Sequence, residues 1–263
     1  MLIRDLTSLQ DYSACVALQE ATWGQGFSER VPTAILRVSQ MIGGVAAGAF
    51  DDDGRMAGFV FGLTGVRGGE LVHWSDMLAV RRDQQRQGIG EQLKRYQRDK
   101  VMAIGVQAML WTFDPLQAGN AHFNINRLGA LPAEYIVDIY GLTGSTLHGP
   151  LPTDRFVVRW ELMGSTARVE MRGTPPLANP VGPDGMPTTA LLPSLSPGLP
   201  VVAVQVPSDM SVVHQMGRSL AMRWRLGVRE VMTAWLGAGY RVTGFVQAGA
   251  PVLPYYVLER PAP

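Results

Sequence analysis

The stretch VRRDQQRQGIGEQLKR, Val80 to Arg95, decides how the first part of the chain reads. It places Gln85, Gly88 and Gly90 within six residues, between an apolar run ending Leu78-Ala79-Val80 and a helix-like segment carrying Ile89, Leu93 and Tyr96. A strand, a glycine-bearing turn and a helix start form an anion site by construction. The first helical N–H groups have no partner inside the helix, and the macrodipole puts partial positive charge there. Gly88 and Gly90 remove Cβ atoms that would hold a phosphate away, and Arg81, Arg82 and Arg86 add positive charge. A tight turn with solvated arginines has the same composition. Two anion motifs are excluded. A dinucleotide fingerprint needs Gly-x-Gly-x-x-Gly after the first strand of a βαβ unit, whereas several strand-like runs precede this loop. A P-loop ends in Gly-Lys-Ser/Thr, and here Gly90 is followed by Glu91-Gln92.

Working outward, MLIRDL reads as a strand, and Thr7 or Ser8 can cap a helix with Leu9, Tyr12, Val16 and Leu18. SERVPTAILRVSQMIGG repeats that logic, with Pro32 early and Gly43-Gly44 at the end. VAAGAF and MAGFVFGLTG flank DDDGR, a hairpin signal. ELVHWSDMLAV is a long strand before the loop, AMLWTF a strand after its helix, and NAHFNINRLGA a short helix ending at Gly129. AEYIVDIYG and DRFVVRWEL close the series. The order is β-α-α-β-β-β-α-β-α-β-β over residues 1–162. Residues 163–200 are rich in Pro and Gly and read as a connection. Residues 201–263 hold the strands VVAVQV, YRVTGFV and YYVLER around one long helix, about Asp209 to Leu236. That helix is apolar enough to need a partner surface, either the first sheet or a second subunit, the latter making a homodimer.

Composition bounds the function. The chain has 263 residues, 46% hydrophobic and 17% charged, which is globular rather than disordered. A net charge of +1 with no basic tract argues against nucleic acid as a partner. No apolar run reaches the ~18 residues of a membrane span, and MLIRDLTSLQDY does not read as a signal peptide. Cys15 is the only cysteine, so no intrachain disulfide forms; a reducing, cytoplasmic location is expected. Cys15 reads as a buried thiol. His122, His148 and His214 lack ligand spacing, so no metal is expected.

Gln85-Arg86-Gln87-Gly88-Ile89-Gly90, after a strand ending Leu78-Ala79-Val80, resembles the acyl-CoA pyrophosphate loop of the GNAT N-acetyltransferase superfamily. The element order of residues 1–162 is similar to that fold. WTFDPLQAGNAHFNINRLGA and LPTDRFVVRW resemble a GNAT subfamily with a C-terminal extension. The resemblance implies an α/β (α+β) fold with a mixed, mostly antiparallel sheet flanked by helices, followed by a β-α-β-β extension. It implies acetyl-CoA, or another acyl-CoA, as co-substrate. Backbone groups of Leu78, Ala79 and Val80 would pair with the pantetheine arm. N–H groups from Arg86 to Gly90 would hold the pyrophosphate, and Asn120 would touch the CoA arm. In the family the two strands flanking the loop-helix splay apart, with the thioester in the gap. A small-molecule or peptide amine attacks the thioester directly, assisted by a base, a polarising N–H and often a tyrosine acid. The tyrosine sits four residues before the glycine that ends the short helix. That glycine is Gly129, and the position holds Ile125, which cannot donate a proton. A non-catalytic acyl-CoA binder on the same fold is therefore the alternative.

His73 and Asp76 are the catalytic candidates on the strand beside the thioester. An unbulged strand points them to opposite faces. His73 has the ordinary pKa suited to a base, about 6.5, but equally fits a histidine satisfied within the sheet. Asp76 equally fits a loop cap or an arginine pair. Asn120 equally fits a helix cap. Arg218, Arg223, Arg225 and Arg229 on the last helix could serve an anionic acceptor group, or simply be solvated.

Overall fold

The computed structural model describes residues 1–141, 144, 151–164, 173, 175–188, 190–194, 198–247, 249 and 252–261. Contacts group the chain into two compact units. One holds residues 1–111, 142–150 and 160–164, and the other 112–141, 151–159 and 165–263. Residues 201–263 thus fall in one unit with 112–141 and 151–159.

In the first unit, β1 (Leu2–Asp5), β2 (Val45–Phe50), β3 (Met56–Arg67), β4 (Glu70–Val80) and the start of β5 (Ala108–Phe113) lie side by side in that order. All pairings are antiparallel except β4 with β5. Helices α1 (Leu9–Trp23), α2 (Thr33–Met41) and α3 (Ile89–Met102) pack on the sheet. The start of α1 is fixed by reciprocal capping between Ser8 and Asp11. Arg4 adds a bidentate bond to Asp11 and, with backbone N–H groups, holds that carboxyl well below its usual range. Tyr12, Cys15, Leu18, Leu36, Phe59 and Phe61 bury together, and full burial of each leucine or phenylalanine contributes ~1.5–3 kcal/mol. Burial pushes the Cys15 thiol up to about 12, so it is a core group as expected.

In the second unit, the short helix α4 (Ala118–Ala121) continues as a π-helical turn over His122–Leu128 and ends at left-handed Gly129. β6 (Leu131–Ile136) pairs antiparallel with β7 (Arg155–Glu161). The C-terminal segment forms a separate antiparallel sheet, order β8-β10-β9, from Val201–Gln205, Tyr255–Glu259 and Arg241–Val246. The single long helix expected here is broken. α5 (Met210–Met216) and α6 (Arg218–Gly237) meet at Gly217, whose φ of +136° suits glycine. Tyr256 of β10 stacks edgewise on Phe156 of β7 and donates to the Pro115 carbonyl at 2.8 Å. Asn126 donates to the Phe245 carbonyl at 3.0 Å. The C-terminal strands therefore share one aromatic core with Phe113, Tyr135 and Phe156.

The stretch read as a connection is partly built into this unit. Leu177 bridges in parallel to Ala203, and the Asn179 amide exchanges two bonds with the Gln205 backbone. Trp235 reaches the Leu191 carbonyl from α6. Among the described residues, no helix is long and apolar enough to cross a membrane.

Candidate functional site

The loop meets its geometric requirements within the first unit. β4 ends at Val80, a 3₁₀ turn covers Arg82–Gln84, and α3 begins at Ile89 with Gly88 as its cap residue. Gly88 has φ +79°, and a Cβ built there would meet only the Gln92 amide at 3.8 Å, so glycine serves the backbone turn rather than close packing. Arg86 also has positive φ, 64°. No side chain caps α3, which leaves its first N–H groups turned outward beside an exposed loop, Gln85 to Gly88. Ile89 anchors the helix in the core, and the Gln85 amide donates to the Val80 carbonyl at 3.1 Å. Arg81 is engaged with Asp83 and Asp51, whereas Arg82 and Arg86 are exposed.

β4 has an open edge. It pairs with β3 from Glu70 to Val80, including Leu78, Ala79 and Val80. On its other side, the parallel ladder with β5 runs only Val72–Ala108, His73–Met109 and Trp74–Leu110. Beyond Trp74, that edge carries no further pairing with β5 among the described residues. Unpaired strand edges present N–H and C=O groups to any extended chain laid alongside.

The register of β4 against β3 shifts between Met77 and Trp74, which puts a bulge at Ser75 and Asp76. The parity argument for His73 and Asp76 therefore does not apply, because Asp76 is itself part of the bulge. His73 is fully buried. Its Nδ1 is 2.9 Å from Thr64 Oγ1 and its Nε2 is 3.0 Å from the Gln97 amide nitrogen. Burial lowers its pKa to about 3, and any positive charge on Lys94 acts in the same direction. The expectation of a base at His73 does not fit this environment; the ring is a neutral core group. Asp76 keeps solvent access, and desolvation by its surroundings raises its carboxyl above the ordinary value despite a hydrogen bond with Trp74.

The hydrogen bonds around His73 share one direction. Lys94 Nζ donates to Ser75 Oγ at 2.6 Å, and Ser75 donates to Gln97 Oε1 at 2.7 Å. The Gln97 amide then donates to His73 Nε2, which leaves Nδ1–H for Thr64, whose hydroxyl donates to the Gly43 carbonyl at 2.7 Å. Gly62 makes this possible, since a Cβ there would stand 2.3 Å from His73 Nε2. Sequence reasoning missed Lys94 and Gln97; their positions one and four after Leu93, on the α3 stripe that buries Ile89 and Val101, were the available signal.

In the second unit, Asn120 is exposed on α4. Ile125 is 7% exposed and packs as core. Arg225 is buried and pairs with Asp114, Arg229 is partly exposed and pairs with Asp154, and Arg223 makes an exposed pair with Asp184. Asp154 also accepts from the Tyr135 hydroxyl and the Asp138 N–H. A groove of about 440 Å³ is lined by Tyr135, Phe156, Thr233, Leu236 and Arg241, among others.

No protein-family model matches the sequence, and no curated protein matches it. Solved structures do. An N-acetyltransferase from Staphylococcus aureus Mu50 aligns at 13% identity and TM-score 0.50, over 61% of this chain and 98% of that one. An acetyltransferase of the GNAT family from Streptococcus pneumoniae aligns at 15% identity and TM-score 0.47, over 61% and 98%. An aminoglycoside 6'-N-acetyltransferase complexed with coenzyme A aligns at 14% identity and TM-score 0.46, over 63% and 99%.

Proposed function

We propose that this chain, whose fold is that of the GNAT acetyltransferases, is an acyl-CoA-dependent N-acyltransferase, with acetyl-CoA as the first donor to test. The observation that carries the reading is the open edge of β4, which runs directly into an exposed loop and the uncapped start of α3. An extended pantetheine arm can pair with Leu78, Ala79 and Val80 as an added strand. A pyrophosphate fits the N–H groups from Arg86 to Gly90, with Gln85 bracing the strand end and Gln87 and Ile89 forming the turn. The role of Asn120 rests on the family resemblance alone.

In this reading residues 1–162 carry the acyltransferase elements, 163–200 connect, and 201–263 form the extension. Asp76 takes the proton of the incoming ammonium. It sits at the bulge, reaches solvent, and has a raised carboxyl pKa that brings it closer to neutral pH. The acceptor is a small-molecule or peptide amine.

A second reading has one observation in its favour. Ile125 is a buried core residue where the family places its acid, which suits an acyl-CoA binder without transfer. Calorimetry with acetyl-CoA tests the binding shared by both readings; no measurable heat at millimolar ligand would remove both. A screen of amines with acetyl-CoA, following free thiol, separates them: acceptor-dependent thiol release supports the enzyme.

A further inference from the structure

Lys94 lies on α3 with 3% of its surface exposed. Its Nζ is 2.6 Å from Ser75 Oγ on β4 and 3.8 Å from the centroid of the Trp111 ring on β5. The ladder between these strands ends at Trp74–Leu110, so Ser75 and Trp111 are the next residue on each. The amine therefore spans the point where β4 and β5 part.

Its surroundings define its state. The groups facing it are Ser75 and His73 from β4, Gln97 from its own helix and Trp111 from β5. None is a carboxylate, and Lys94 makes no ion pair among the described residues. Burial alone holds it well below its ordinary value, which favours the neutral amine. Ser75 gives its own proton to Gln97, so it can only accept from Lys94. One N–H of the amine goes to Ser75, and the Trp111 face lies where it can receive another. A neutral amine at this position keeps a lone pair able to take a proton.

We propose that Lys94 is the proton carrier of the acyl transfer. The proposal rests on the reading above, in which the thioester lies where β4 and β5 part. The acceptor nitrogen, having lost its first proton to Asp76, attacks the thioester carbon and the C–N bond forms. A nitrogen-bound proton passes to the lone pair of Lys94. As the C–S bond breaks, its electron pair goes to sulfur, and Lys94 returns the proton there. The products are the amide and the free thiol, and the neutral amine is restored. Lys94 thereby supplies the proton that Ile125 cannot.

The test uses the full chain, wild type and Lys94→Met, a swap that keeps a long unbranched side chain without the amine. Calorimetry with CoA first establishes binding; if wild type binds no CoA, the functional reading falls and the proposal with it. If it binds, the ¹⁵N resonance of Lys94 Nζ is followed against pH with CoA and with desulfo-CoA. A thiol at the fork should shift the titration of Lys94 upward with CoA and not with desulfo-CoA. Equal behaviour with both ligands overturns the proposal and leaves the reading standing. With an amine that supports thiol release, Lys94→Met should lower kcat ~100-fold or more while CoA affinity changes less than about threefold. The pH–rate profile should lose the ionisation of Lys94 and keep that of Asp76. An unchanged kcat and profile would also overturn the proposal.

Discussion

Asp114, after the end of β5, and Arg225, in α6, are 111 residues apart in the chain and joined by a 2.6 Å ion pair. Arg225 is 3% exposed, and its Nε and Nη1 have no hydrogen-bond partner among the described residues. Arg155 adds a second guanidinium 3.7 Å from the same carboxylate. Burial works against the Asp114 charge, but the arginines outweigh it and lower the carboxyl pKa. Breaking a buried pair from one side leaves an uncompensated charge, which costs about 3–5 kcal/mol. Arg225→Met and Asp114→Asn should each destabilise by that order in urea unfolding. The double variant should cost clearly less than the sum, and strict additivity would show that the pair is not coupled.

The loop separates binding from folding. Gly90 is free of the left-handed constraint, and a Cβ there would make ordinary contacts with Leu78 at 3.5 Å and Val80 at 4.0 Å. Gly90→Asp adds a carboxylate at the N–H cradle with little strain. CoA affinity should fall at least tenfold with the melting temperature nearly unchanged. Equal affinity by calorimetry would move the pyrophosphate elsewhere.

Gly62 is needed for close approach. A Cβ there would meet His73 Nε2 at 2.3 Å, the Trp74 carbonyl at 2.6 Å and the Gln97 amide at 2.8 Å. Two of these groups belong to the buried hydrogen-bonded chain, which cannot yield without losing bonds. Gly62→Ala should destabilise by about 2–4 kcal/mol, combining overpacking with an unsatisfied buried polar group. A variant as stable as wild type would mean that the ring can relocate.

His73 gives the fold a specific acid sensitivity. Its pKa is about 3 when folded and about 6.5 unfolded. Between those values the unfolded chain holds one more proton, so stability falls as pH falls, by about 1.4 kcal/mol per pH unit. The contribution is complete above pH 7 and lost as pH drops through 6 toward 3. Urea unfolding at pH 7, 6, 5 and 4 should show this slope in wild type, reduced by about one proton in His73→Gln. Parallel curves would mean that His73 titrates alike in both states.

The strand, loop and helix around Gly88 were legible because backbone geometry there demands particular residues: apolar alternation, then glycine, then a helix start. The order of elements through residue 161 was legible for the same reason. The bulge at Ser75–Asp76 was not, because an extra residue in a ladder leaves no mark on a one-dimensional pattern. It undid the argument that puts His73 and Asp76 on opposite faces. Lys94 was passed over since lysine usually lies in water, and only the tertiary fit of Ser75 and Trp111 draws it inside. The break at Gly217 was hidden because apolar residues continue on both sides of it.

The exposed run from Gln85 to Gly88 bears on how this chain tolerates change. Side chains there support almost none of the core, apart from the Gln85 bond to Val80, and the space beside Gly88 is nearly empty. A saturation library across Gln85, Arg86 and Gln87, which leaves the left-handed Gly88 untouched, should leave protein abundance almost flat. Any sharp loss of fitness in cells that need the protein would then report its ligand rather than its folding. The same library at Gly62 or Lys94 would confound the two.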